Sequence, residues 1–126
     1  MCLASKYLGE IEKVITDLRK DKAKLQRKQS EYDKKLSEYY HKLETAKFNA
    51  CEGYYKTKEL QSLLQKRRLV KHELHRMNQI EKYLSKSLSD RIENARNVLN
   101  ESIDYNAEYT QNFSIRFSDI EEEVLH

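Results

Sequence analysis

The sequence predicts an all-α protein: two long helices folded into an antiparallel coiled-coil hairpin, with the C-terminal helix longer and overhanging. Three observations predict it. The 126 residues contain no proline and only two glycines, so the chain is poor in the residues that build turns. Charged residues make up 36% and apolar residues 38%, which suits a narrow buried seam better than a thick core. Apolar positions also recur at alternating steps of four and three residues over most of the length, the spacing of a heptad seam.

The first helix is predicted over about residues 3–50. Its seam reads Ala4, Leu8, Ile11, Ile15, Leu18, Lys22, Leu25, Gln29, Tyr32, Leu36, Tyr39, Leu43, Ala46 and Ala50, with only Lys22 and Gln29 polar. The runs between these positions, such as RKDK and QRKQ, read as solvated faces. The turn is predicted over about residues 51–55, because Asn49 and Gly53 tolerate the left-handed conformation that ends helices. The alternative is one unbroken helix that pairs in a parallel dimer.

The second helix is predicted over about residues 56–123. Its seam carries Leu60, Leu63, Arg67, Val70, Leu74, Met77, Glu81, Leu84, Leu88, Arg91, Ala95, Val98 and Ser102, flanked by Ile80, Ile92, Leu99 and Ile103. Ser87-Leu88-Ser89-Asp90, with Glu93 following, resembles a helix N-terminus. With no proline or glycine there, the helix is expected to run through. Across the pairing, Lys22 and Glu81 fall close enough to form an ion pair. The whole chain, residues 1–126, is then one coiled-coil hairpin.

Folding at about residue 53 exhausts the first helix near residue 104. Tyr105, Tyr109, Phe113 and Phe117 recur every fourth residue beyond that point and would share one uncovered helix face. Together with Ile103, and with Leu3 and Tyr7 from the other terminus, they are the candidate partner-binding surface, since aromatic side chains are the usual anchors of interfaces. The opposing reading packs the stripe on Leu3 and Tyr7 or leaves the tail disordered. A second aromatic group, Tyr40, Tyr54 and Tyr55, lies off the seam near the hairpin tip. It is the candidate tip contact, against ordinary packing.

No catalytic constellation is present, and enzyme activity is not expected. His72-Glu73-Leu74-His75 has its second histidine one residue too early for a zinc-protease motif, and no third ligand follows. No glycine-rich loop exists to cradle a phosphate. Neither metal nor cofactor is therefore expected. Lys66, Arg67, Arg68, Lys71, His72, His75 and Arg76 form the densest basic cluster. Glu59, Glu73 and Glu81 interrupt it, so nucleic acid is not the expected partner. No run approaches the length of a membrane span. MCLASKYLGEIEK lacks a basic region followed by an apolar run, so no cleaved secretion signal is expected and an intracellular location is the default. Cys2 and Cys51 would stand about 70 Å apart on a straight helix at ~1.5 Å per residue, so they read as small, half-buried free thiols. Residues 1–88 hold 21 Lys and Arg against 12 Asp and Glu, whereas residues 89–126 hold three against nine. Such asymmetry suggests two ends that meet different surroundings.

The chain resembles the central-stalk proteins of type III secretion ATPases, the FliJ/YscO type, with the short virulence-system members nearest in length. The resemblance rests on the size, the long-helix hairpin and the Leu-spaced basic segment KELQSLLQKRRLVKHELHRMNQIEK after the turn. It implies a non-enzymatic cytoplasmic stalk, monomeric alone and held at the cytosolic face of the inner membrane when assembled. The end carrying both termini would enter a hexameric secretion ATPase and stimulate or couple ATP hydrolysis to export. The hairpin tip would face the export gate and chaperones. No family residue maps singly onto this chain. Two alternatives stand beside it: a dimeric coiled-coil scaffold or tether, and an adaptor resembling an export chaperone.

Overall fold

The structure, a computed structural model, describes residues 2–84 and 86–126. The described residues are all-α, in four helices with no strand: α1 (Leu3–Thr45), α2 (Ala50–Tyr83), α3 (Lys86–Thr110) and α4 (Phe117–Leu125). They form two compact units, Thr16–Tyr83 and Met1–Ile15 with Leu84–His126, and α1 contributes to both. The single hairpin expected over residues 1–126 spans both units.

In the unit Thr16–Tyr83, the half-buried positions follow the heptad expectation closely. On α1 they are Leu18, Lys22, Leu25, Gln29, Tyr32, Leu36, Tyr39 and Leu43, and on α2 they are Gly53, Lys56, Leu60, Leu63, Arg67, Val70, Leu74, Met77 and Glu81. Three polar contacts cross between these rows. Lys22 Nζ lies 2.6 Å from Glu81 Oε2, the pair anticipated from the sequence. Arg67 Nε donates to Asp33 Oδ1. The Tyr39 hydroxyl donates to the Lys56 carbonyl. Burial and, to a smaller degree, the Glu59 carboxylate raise the Tyr39 pKa.

The connection occupies residues 46–49, earlier than the expected 51–55. Gly53 lies inside α2, and no described residue has positive φ. Asn49 opens the new helix instead: its Oδ1 accepts the Glu52 N–H at 2.9 Å, a side-chain cap on an otherwise unpaired donor. Asn-x-x-Glu spells a helix start, the opposite of the helix end expected at Asn49. Phe48 precedes the cap, and its ring lies against Gly53. A Cβ added there would come within 3.2 Å of Phe48 Cδ2. A glycine at this position lets the ring rest on the helix backbone.

The predicted second helix is three helices. The helix expected over about residues 56–123 is interrupted at Leu84, whereas α3 runs without a break through residues 87–90. The heptad phase slips by one residue there. Leu88, Ser89, Ile92, Arg96 and Leu99 are half-buried on α3, while the expected Arg91, Ala95, Val98 and Ser102 are exposed. A strict repeat carried through a bend selects the wrong face. On the facing part of α1, Glu12 is half-buried and Ile11 exposed. Arg96 grips Glu12 through two hydrogen bonds, Nε to Oε1 at 2.7 Å and Nη2 to Oε2 at 2.9 Å.

A second interruption ends α3 at Thr110, within the expected aromatic stripe. Thr110 Oγ1 donates to the Asn106 carbonyl at 3.2 Å, a back-bond that competes with helix propagation. Asn112, Ser114 and Ile115 are weak helix formers, and every residue from Asn100 onward is exposed, so packing does not hold the helix together. Arg116, in extended conformation, precedes α4, and the Asp119 side chain returns to accept its N–H at 2.8 Å. No described residue is fully buried.

Candidate functional site

The aromatic group expected on one helix is distributed over three local structures. Ile103, Tyr105 and Tyr109 are on α3, Phe113 is in the connection, and Phe117 is the first residue of α4. The continuous stripe therefore does not form. Tyr105 and Tyr109, one helical turn apart, stay together. Their rings are 5.4 Å apart at 58°, and their hydroxyls lie 3.2 Å apart. The Tyr105 hydroxyl raises the Tyr109 pKa, and partial burial adds to that effect. Tyr105, Tyr109, Phe113 and Ile115 are each more than 60% exposed. Water thus covers a run of large apolar side chains, a costly arrangement unless a partner replaces it.

Phe117 behaves differently. It lines a cleft with Cys2, Leu3, Lys6, Arg116, Ser118 and Glu121, so α4 meets the start of α1. Of the expected surface, Leu3 and Phe117 are brought together and Leu3 is half-buried, whereas Tyr7 remains exposed. The reading that packed the whole stripe on the N-terminus holds for this one contact.

Sequence reasoning missed Cys2 as a helix cap and expected both cysteines to be half-buried. Both are exposed. Cys2 precedes α1, and its Sγ accepts the Ser5 N–H at 3.4 Å, with Ser5 Oγ also at 3.4 Å. These hydrogen bonds, the side-chain one foremost, lower the thiol pKa. The usual capping residues are Ser, Thr, Asp and Asn, and so a cysteine gave no signal.

At the other candidate surface, Tyr54 and Tyr55 are on α2, not in a turn, and Tyr40 is exposed on α1. Their local order comes from short-range contacts. The Tyr54 and Tyr55 rings meet edge-on at 5.5 Å, and Lys58 Nζ lies 5.4 Å from the Tyr54 ring centre. Lys56 Nζ lies 5.9 Å from the Phe48 ring centre.

The basic cluster on α2 is partly spent on ion pairs. Arg67 engages Asp33, and Arg76 engages Glu73 within the HELH segment. No group of three or more His, Cys, Asp or Glu side chains among the described residues is placed to hold a metal ion. No helix among them is long and apolar enough to cross a membrane.

The geometry defines a class: an all-α chain whose outstanding surface feature is exposed aromatic side chains on helices. Comparison with protein-family models, curated proteins and solved structures found no match to this chain.

Proposed function

We propose that this chain is a non-enzymatic helical stalk whose docking surface is the exposed aromatic group at Tyr105, Tyr109, Phe113 and Ile115. The partner in this reading is the hexameric ATPase of a type III secretion system. The stalk's termini enter the ring and couple ATP hydrolysis to export. The helices pair as an antiparallel coiled-coil hairpin. What supports the pairing is the order of the contacts: as α1 runs from Lys22 to Asp33 to Tyr39, the partners run back from Glu81 to Arg67 to Lys56. What supports docking is the exposure of aromatics that bury much area for little lost side-chain freedom.

The test titrates a hexameric secretion ATPase with the full chain and with the double variant Tyr105→Ala/Tyr109→Ala, with circular dichroism as the folding control. Wild-type binding weakened about thirtyfold or more in the variant is expected, on the scale of interface hot spots. Tyr54→Ala/Tyr55→Ala should leave ATPase binding intact and impair export through the tip. No binding by the wild-type chain would overturn the stalk reading. Equal binding by wild type and the Tyr105/Tyr109 variant would remove this surface from it.

A further inference from the structure

We infer that α4 of one copy docks on the basic face of α2 of a second copy, so that the chain self-associates head to tail. On α4, Phe117, Ile120 and Val124 follow a 3, 4 spacing and share one face, and all three are exposed. Glu121 and Glu123 flank Ile120 and Val124 around the helix. Neither carboxylate has an ion pair or hydrogen bond among the described residues. Phe117 and Glu121 also line the cleft with Leu3, so the open part of α4 is the apolar edge at Ile120 and Val124 with its bordering carboxylates.

The matching surface is on α2. Leu60, Leu64, Arg68 and Lys71 recur at steps of four, four and three and share one face. Leu60 and Leu64 line a shallow cleft with Thr57, Gln61 and Gln65, closed at one end by Arg68. An adjoining cleft continues from Leu64 and Arg68 to Lys71. While Arg67 and Arg76 are held by Asp33 and Glu73, Arg68 and Lys71 have no acidic partner among the described residues. Two leucines followed by two free cations face the complement of two aliphatic residues flanked by two free carboxylates. Ile120 and Val124 lie in the leucine cleft, and Glu121 and Glu123 meet Arg68 and Lys71.

The occupant is a second copy because this chain supplies both halves of the match. Pairing α4 with α4 would oppose like charges, as would pairing α2 with α2. The contact is heterologous: each copy offers one donor helix and one acceptor face. A nine-residue helix covers far less than a standard interface, so the association is weak, with Kd around 0.1 mM. It rests on the charges and apolar faces alone and holds whether or not the chain is a secretion stalk.

The experiment is sedimentation equilibrium of the full chain from ~10 μM to ~1 mM at low ionic strength, repeated in about 0.5 M salt. The mean mass should rise above one chain with concentration, and the rise should weaken about tenfold or more in high salt, as the charges are screened. Two variants test the partners: Glu121→Lys/Glu123→Lys on α4 and Arg68→Glu/Lys71→Glu on α2. Each alone should hold the mass of one chain. Their mixture should associate again, because the reversed faces complement each other. Circular dichroism confirms that both keep wild-type helicity, as expected for exposed positions. A wild-type mass of one chain throughout overturns the proposal. So does association that survives both reversals, or a mixture that fails to associate.

Discussion

At the scale of single residues, the Glu12–Arg96 pair carries the clearest electrostatic signature. Arg96 holds the Glu12 pKa below the ordinary carboxylate value, chiefly through its hydrogen bonds, while desolvation works against the shift. A carboxylate whose folded pKa is depressed contributes stability above its unfolded pKa, about 4.3 for Glu, and loses it as the pH falls through the lower folded value. Arg96→Met should therefore lower the melting temperature near pH 7 and change it little at pH 2. Thermal melts across this range check it, and an Arg96→Met penalty that is the same at both ends would show packing, not charge, at work. Neither residue was legible as a partner. The heptad spacing puts Ile11 on the seam and leaves Glu12 off it, and only the slipped phase of α3 turns Arg96 towards Glu12. The opposite holds for Lys22 and Glu81, whose meeting followed from counting residues along two regular repeats.

Among the elements, the start of α2 separates two readings of one glycine. In a left-handed cap, a side chain at Gly53 would be strained. Within a helix, alanine is favoured over glycine by up to about 1 kcal/mol. The added Cβ would sit 3.2 Å from Phe48, which must yield by a few tenths of an ångström. Phe48 is 47% exposed and has room to move. Gly53→Ala should thus stabilise the protein by about 0.5 kcal/mol. The urea midpoint should rise accordingly, and a clear fall would mean that the ring cannot move or that the helix starts later. The ends of the other elements explain why boundaries were harder to read than faces. Leu84 and Thr110 stop helices without proline or glycine. At Thr110, what fails is support from a neighbour. Beyond Leu99 no residue is even half-buried, so the weak helix formers near Asn112 are left to their own preference.

For the whole molecule, the absence of a fully buried side chain among the described residues implies modest cohesion. Half-burying a leucine stabilises by only about 1 kcal/mol, and each unit depends on a single seam of such contacts. The two units should therefore open separately. Calorimetry should give a broad transition, with a van't Hoff enthalpy clearly below the calorimetric one. A single sharp transition with equal enthalpies would show that the units unfold as one. The measurement belongs at low concentration, below ~10 μM, where the weak self-association inferred above contributes little.

The sequence by itself determined the helical class, the heptad face of α1 from Leu18 to Leu43, that of α2 from Leu60 to Glu81, and the exposure of Tyr105 and Tyr109. These follow from composition and short-range periodicity, which each segment carries independently of its neighbours. The tertiary structure decided the slipped seam through Ile92, Arg96 and Leu99, the Glu12–Arg96 pair, and the contact of Phe117 with the Leu3 cleft. It also decided that the aromatic stripe is cut at Thr110. Each of these depends on which distant side chain is present to cover a surface. A bend of one or two residues rephases everything after it, and the helix-start pattern at residues 87–90 signals a boundary nearby without telling which face follows it.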